Sequence, residues 1–370
     1  MTDPWRYVNP VKITFGLNAI ERIKDVIAGR SYCLLTYNDN PFFSDVAKRV
    51  ADVAGPPAVT VRDVEPNPDY DSLRAACASF AGAQVSPQVI VALGGGSVID
   101  TAKVLAAAGD DFSRVQGYLE GRHGAEALRH LPIIAVPTTA GTGSEVTSWA
   151  TVWDTSNRKK YSLARPELYP EHAVVDPLLT VGVPRGLTVS TGLDALSHAL
   201  ESIWNVNSNP VSANHAVVAA REIMSCLPRL ASDLDNVDLR TRMARASLFA
   251  GLAFSNTKTA IAHSLSYYLT LHYGVVHGIA CSFSLPAVMR SVIGLNAECD
   301  AALEQIFGPD LTGGAEELTR FLHRLDVGTR VTDYGVTRDE WISAIDAALT
   351  GERGRNFIGE REAMVGEAFG

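Results

Sequence analysis

The sequence predicts a Rossmann-like α/β domain over residues 1–183, built on a parallel sheet, followed by an all-α domain over residues 184–370. Three observations carry this reading. A chain of 370 residues is long enough for about two domains. Up to about Pro184, short β-branched runs alternate with amphipathic segments, the grammar of βαβ units. Beyond it, apolar residues recur with a spacing near 3.6 and strand-like runs are few.

In chain order, the expected strands are YCLLTY (32–37), AVTVRDV (58–64), VIVAL (89–93), IIAV (133–136) and HAVVD (172–176), bounded by Gly, Pro, Asn or Asp. They are nearly continuous apolar runs, as suits a sheet covered on both faces. DYDSLRAACASFAGA (69–83) is an amphipathic helix between them. The helical half comprises STGLDALSHALESIW (190–204), with Thr191 as its expected N-cap, then SANHAVVAAREIMSCLPRLASDL (212–234) and DLRTRMARASLFAGLAFS (238–255). AHSLSYYLTLHYGVVHG (262–278) closes this series.

With 46% hydrophobic and 20% charged residues, the composition is that of an ordinary globular protein. The longest apolar runs, such as LPIIAVP (131–137), fall far short of the roughly 20 residues a membrane-spanning helix needs. MTDPWRYVNP carries no basic–apolar–small secretory pattern. Cys33, Cys77, Cys226, Cys281 and Cys299 are far apart without a CxxC pair, which predicts scattered reduced thiols and a cytoplasmic location. A net charge of −9 argues against nucleic acid as a partner. An anionic substrate must then be captured by a local positive site.

VIVALGGGSVIDTAKVLA (89–106) is a buried strand, a glycine turn and a helix. Gly94, Gly95 and Gly96 permit close backbone approach, and the helix beginning at Ser97 offers free N–H groups to a pyrophosphate, with Asp100 in its first turn. Taken alone, the turn could equally use its glycines for geometry, and it is not the GxGxxG fingerprint. A second loop, PTTAGTGSEVTSWA (137–150), follows another strand and supplies Thr138, Thr139 and Thr142, with Trp149 as a candidate substrate contact. Two such loops after parallel strands favour a nucleotide site. Asp39, just after the first expected strand, would repel a 2′-phosphate and so points to NADH, with NADPH the alternative.

Asp194 and His198 are four residues apart on one helical face and can share a divalent ion, although DxxxH alone also fits a capped helix with a surface His. His263 and His277 would stand about 21 Å apart along one helix. Metal–nitrogen bonds are about 2.0–2.1 Å, so the chain must break between the two histidines for them to share an ion, and Gly274 is the natural breakpoint. His272 lies on about the opposite face from His263.

GGGSVIDTAK, PTTAGTGSEVT, TGLDALSHALE, FSN with His263 seven residues on, and HGIA resemble the iron-containing (group III) alcohol dehydrogenase family. The likeness runs from the EPNP turn (65–68) to the RN pair at 355–356. It implies a dehydroquinate synthase-like fold, with a dinucleotide-binding N-terminal domain and a helical metal- and substrate-binding domain. It also implies reversible aldehyde/alcohol chemistry with a nicotinamide cofactor and one divalent metal, Fe2+ or Zn2+. The family's one Asp and three His fall on Asp194, His198, His263 and His277, and Lys160 on a position near the nicotinamide ribose. Where the family often has a further histidine, four residues after the third ligand, this chain has Tyr267, so proton relay is expected at Tyr267 or His272.

Residues 256–282 resemble the branch of the family that reduces phosphonoacetaldehyde to 2-hydroxyethylphosphonate in phosphonate biosynthesis. Lys258, which could equally be a solvated helix-start lysine, and Arg355 are the candidate contacts of that anionic substrate. A homodimer or larger assembly is expected by the same resemblance. The alternatives are a short-chain, lactaldehyde-type dehydrogenase on the same scaffold, or a non-catalytic nucleotide-binding regulator. Loss of a metal ligand would point to the regulator, and none of the four is missing.

Overall fold

The computed structural model describes the chain except for residues 1–3, 38–39, 63, 158, 362–363 and 366–370. It forms two compact units. One comprises Pro10–Thr139 and Ser144–Thr180; the other comprises Ala140–Gly143 and the described parts of Met1–Asn9 and Val181–Gly370.

The first unit carries strands β1 (Lys12–Phe15), β2 (Tyr32–Leu35), β3 (Val59–Val61), β4 (Val89–Gly94), β5 (Ile133–Pro137), β6 (Trp149–Asp154), β7 (Lys159–Ala164) and β8 (His172–Val175). Its helices are α1 (Ile23–Ile27), α2 (Pro41–Ala54), α3 (Tyr70–Ala81), α4 (Gly96–Ala108) and α5 (Ser113–Leu119). Parallel strands in the order β1-β8-β5-β4-β2-β3 make the main sheet, and β6 and β7 form a separate antiparallel hairpin. The centre of the sheet is buried on both faces because β2, β4 and β5 are apolar throughout. Ile90 and Ala92 of β4 face one core layer, with Leu73 and Val104, while Val89, Val91 and Leu93 face the other, with Ile23 and Val50.

Two features of this unit differ from the sequence reading. β1 is a half-exposed edge strand, and KITF lacks the apolar density of the inner strands. The segment leading into β6 is rich in small polar residues and reads as loop, although WATVWD itself alternates half-buried and buried positions along the hairpin.

The second unit carries α6 (Arg185–Ile203), α7 (Pro210–Leu230), α8 (Val237–Thr257), α9 (Ile261–Tyr273), α10 (His277–Ser282), α11 (Leu285–Arg290), α12 (Ala297–Phe307), α13 (Leu311–His323) and α14 (Arg338–Thr350). Its core includes the fully buried Trp204, Phe283 and Phe321, along with Trp341. Helix α6 starts earlier than expected, so Thr191 is no N-cap. Its hydroxyl lies inside the helix and donates to the Leu187 carbonyl at 2.9 Å. Among the described residues no helix is long and apolar enough to cross a membrane.

The short stretch Ala140–Gly143 belongs to the helical unit because its glycines admit close packing there. A Cβ on Gly141 would meet Thr191 of α6, and one on Gly143, which has φ +59°, would meet Gly251 and Phe254 of α8. Near the N-terminus, Tyr7 donates to the Leu252 carbonyl at 3.1 Å and the Val8 N–H to Asn256 at 2.8 Å, tying this segment to α8.

Candidate metal centre and nucleotide-binding turn

In the α/β unit, β4 and β5 end side by side, with Gly94 opposite Pro137. The Thr138 N–H donates to the Gly94 carbonyl at 3.0 Å, which places Thr138 and Thr139 next to the glycine turn. A Cβ on Gly95 would come within 3.3 Å of the Thr139 hydroxyl and 3.7 Å of the Tyr37 hydroxyl, so a side chain there would fill the space the turn leaves open. No side chain caps α4 at Gly95; the Val98 N–H turns back to the Gly95 carbonyl at 3.0 Å, and the N–H groups of Gly96 and Ser97 are left for a ligand. Ser97 Oγ accepts from the Asn67 N–H of the EPNP turn at 3.3 Å. Burial raises the Tyr37 pKa, and its hydrogen bond with Ser97 opposes that rise. Tyr37, to which the sequence assigns no role, helps line the turn.

Other expected nucleotide contacts are placed differently. Asp100 accepts from Ser144 Oγ at 2.6 Å and from the Thr151 N–H at 2.9 Å, so both carboxylate oxygens tie α4 to its own unit rather than serving a ligand. Beside it, the buried Lys103 donates to the Ser144 and Trp149 carbonyls, both at 2.8 Å. Trp149 is half-buried at the start of β6. Lys160 lies on β7 with its Nζ 5.0 Å from the centre of the Trp153 ring, and its charge reaches Asp100. Thr142 belongs to the helical unit, unlike Thr138 and Thr139. Asp39 lies outside the described residues.

In the helical unit, three helices bring one carboxylate and three imidazoles together. Helix α6 presents Asp194 and His198 on one face, α9 carries His263 in its first turn, and α10 opens with His277. The break between α9 and α10 is made by Gly274, left-handed at φ +65°. It turns the chain so that the His263 and His277 rings approach to 5.7 Å. Gly278 makes the close approach of α10 to α6 possible, since a Cβ there would collide with the Ser190 carbonyl.

Asp194 Oδ1 is the hub. It stands 3.3 Å from His263 Nε2 and 3.8 Å from the Nε2 atoms of both His198 and His277. Ligands bound at about 2.0–2.1 Å in a tetrahedron lie about 3.3–3.4 Å apart, so this donor set fits one divalent ion with little movement. His198 Nδ1 is buried without a hydrogen-bond partner among the described residues. That ring is stacked on Phe254 at 3.9 Å and on His263 at 4.6 Å. His277 is the most open member, with its side chain 42% exposed against 7% or less for the other three.

At Asp194 and His198 the electrostatics suit metal binding, whereas at His263 burial is outweighed by Cys281, Glu201 and Asp194, which raise it well above its ordinary value. Burial lowers His198 to about 4, which keeps its imidazole neutral and able to ligate. Burial would raise Asp194, but His198, His263 and His277 outweigh it and hold the carboxyl well below its usual range.

Two members of the site escaped sequence reasoning. Glu201, fully buried, accepts from the N–H groups of Ala260 and Ala262 and of His263 (3.1 Å), and contacts His263 Nδ1 at 2.6 Å. It thereby caps α9 and orients a ligand with the same carboxylate. Cys281, one turn after His277, puts its Sγ 3.6 Å from His277 Nε2. One donor atom each from Asp194, His263, His277 and Cys281 lie within 4.8 Å of one another. Both were findable by helical spacing, Glu201 at three residues from His198 and Cys281 at four from His277.

The remaining expected residues lie apart. His272 is exposed and rests against Tyr268 at 4.7 Å, away from the imidazole cluster, because nine residues turn it off the His263 face. Tyr267 is half-buried on α9, with the Arg353 guanidinium 4.7 Å from its ring centre. Lys258 is left-handed at φ +64° and largely exposed, its ammonium 3.4 Å from the exposed Glu352 carboxylate. Arg355 is exposed.

Comparison with known proteins agrees with this architecture. The chain matches the profile described as "Iron-containing alcohol dehydrogenase" over residues 10–177 and the profile "Fe-containing alcohol dehydrogenase family, C-terminal" over residues 188–364. It is 32% identical to 1,3-propanediol dehydrogenase of Klebsiella pneumoniae, across 93% of this chain and 92% of that protein. It is 35% identical to phosphonoacetaldehyde reductase of Streptomyces viridochromogenes, across 66% of this chain and 62% of that one. The crystal structure of sulfoacetaldehyde reductase from Bifidobacterium kashiwanohense in complex with NAD+ superposes with a TM-score of 0.89 at 29% identity, covering 99% of this chain and 98% of the other.

Proposed function

Because the chain belongs to the iron-containing alcohol dehydrogenase family, we propose that it is a metal-dependent reductase that converts phosphonoacetaldehyde to 2-hydroxyethylphosphonate with NADH. The observation that carries the reductase chemistry is the hub of Asp194 Oδ1 among three imidazole Nε2 atoms. A divalent ion bound there, Fe2+ or Zn2+, supplies Lewis acidity toward a carbonyl oxygen.

The chain's own residues do the rest. Asp194, His198, His263 and His277 hold the ion. Glu201 is ringed by donors and ionised, so it can only accept; His263 Nδ1 therefore carries the proton and His263 Nε2 keeps its lone pair for the ion. The glycine turn at 94–97, with Thr138 and Thr139, binds the dinucleotide pyrophosphate through backbone N–H groups and hydroxyls. Lys160 serves the nicotinamide ribose. Overall, one hydride passes from NADH to the carbonyl carbon and one proton to its oxygen. Tyr267 serves as the relay in this reading, supported by its place one helical turn after His263, while His272 rests against Tyr268.

The relatives acting on aldehydes with a phosphonate or sulfonate group support an anionic substrate. The likeness to sulfoacetaldehyde reductase makes the sulfonate analogue the second reading. Assembly as a homodimer or larger oligomer, in the cytoplasm, belongs to the same proposal. The test is steady-state NADH oxidation by the metal-loaded protein. A kcat/KM for phosphonoacetaldehyde about 10–100-fold above that for propanal is expected, the worth of one charged hydrogen-bond pair. Equal values would overturn the phosphonate assignment and leave a plain short-chain aldehyde reductase.

A further inference from the structure

The loop after α14 sends two neighbouring side chains in different directions. Glu352 is exposed and meets Lys258 at 3.4 Å. Arg353 is half-buried, and its guanidinium lies 4.7 Å from the centre of the Tyr267 ring. The loop is anchored beside α9. Asn356 donates to the Thr259 carbonyl at 2.9 Å, and the Val206 N–H donates to the Asn356 carbonyl at 2.8 Å. A Cβ on Gly354 would collide with Ala348, so that glycine packs tightly on the end of α14.

Several other arginines of the helical unit are paired, whereas Arg324 also rests on an aromatic ring, that of Phe321. Arg185 meets Asp326 at 2.8 Å, Arg242 and Arg245 share Glu222, Arg361 grips Asp346, and Arg240 donates to Thr188 and to two carbonyls. The Arg353 guanidinium makes no hydrogen bond or ion pair among the described residues. It interacts at longer range with Glu201, the carboxylate that orients His263. Burial lowers its pKa from the ordinary value, as for a cation short of counter-charge. Five donors held in a fixed fork and left unmet suit a tetrahedral or planar oxyanion.

We propose that Arg353, rather than Lys258 or Arg355, grips the anionic end of the substrate, a phosphonate or sulfonate borne on a two-carbon aldehyde. This rests on the anionic-substrate reading above. Tyr267 follows His263 by one helical turn, about 5.4 Å of rise, so a guanidinium over Tyr267 is offset from the imidazole cluster by about the span of a short chain. Arg353 thereby sets specificity, whereas carbonyl chemistry stays with the metal ligands.

The experiment measures kcat/KM for phosphonoacetaldehyde, sulfoacetaldehyde and propanal in wild type, Arg353→Met and Arg353→Lys, all metal-loaded. Titration calorimetry follows the unreactive anions phosphonoacetate and sulfoacetate in parallel. Arg353→Met is expected to lose about 100-fold on the anionic aldehydes, to change propanal by less than about threefold, and to weaken anion binding in parallel. Whichever anion wild type binds and turns over better identifies the headgroup. Equal losses on all three aldehydes overturn the proposal, since they mark Arg353 as a support for the loop. A wild-type preference for anions that survives in Arg353→Met also overturns it, while leaving the anionic-substrate reading intact. A wild type without any such preference removes both. Should Arg353→Met not fold, Arg353→Lys decides: it keeps charge but loses the fork, and a loss of about tenfold confined to anionic aldehydes supports the proposal, whereas a uniform loss ends it.

Discussion

Glu201 accepts a 2.6 Å hydrogen bond from His263 Nδ1 while also capping the N-terminus of α9, the helix that carries His263. One buried carboxylate therefore sets both the tautomer of a metal ligand and the position of its helix. Glu201→Gln keeps the shape but can present a donor where only acceptors are tolerated. Metal affinity measured by competition with a chelator should fall about 10–100-fold, with the variant still folded. Unchanged affinity would make Glu201 a cap and nothing more.

Cys281 sits within the donor cluster without belonging to the proposed ligand set. The account predicts that the Co2+-substituted protein shows no thiolate-to-cobalt charge-transfer absorption, and that Cys281→Ser keeps one metal per chain. A strong charge-transfer band lost in Cys281→Ser would place the sulfur on the ion in place of an imidazole.

Gly278 lets α10 lie against the Ser190 carbonyl of α6. Gly278→Ala should cost about 1–3 kcal/mol, the range for overpacking a dense interior, and should loosen metal binding because His277 is its neighbour. Chemical denaturation and metal titration check the two effects separately. A neutral result on both would mean the helices have room to spare.

Glu145 gives the α/β unit a pH dependence. Its carboxyl is buried, and burial raises it to about 7 against a partial offset from Lys103. Below about 4.5 the group is protonated in both folded and unfolded chains and has no effect. Between about 4.5 and 7 the folded chain holds the extra proton, so stability falls as pH rises. Relative to wild type, Glu145→Gln should be neutral at pH 4 and more stable by about 2–3 kcal/mol at pH 8, read from denaturant midpoints. A constant difference across that range would contradict the shift. Lys103, lowered to about 8 by burial, acts in the opposite sense at higher pH, adding stability as pH rises from about 8 to about 10.5.

Local patterns made much of the fold legible. β2, β4, β5 and β8 are dense apolar runs, and the long helices announce themselves by period. β1 escaped because an edge strand buries little and needs no such run. The start of α6 was misjudged because LTVS is β-branched and polar, and Thr191 imitates a cap. At the site, Asp194 and His198 show helical spacing, as Glu201 and Cys281 do in retrospect. Arg353 leaves no trace in its own neighbourhood. Its relation to Tyr267 is tertiary, made by a loop returning from the far end of the chain, so no local spacing signals it.

The central claim is that one divalent ion sits among Asp194, His198, His263 and His277. Anomalous diffraction from crystals of the Zn2+- or Fe2+-loaded protein, recorded on either side of the metal's absorption edge, tests it most directly. The account predicts a single strong peak about 2.0–2.2 Å from Asp194 and from one nitrogen of each of the three histidines. A peak elsewhere, or one that leaves His198 or His277 outside bonding distance, would contradict it.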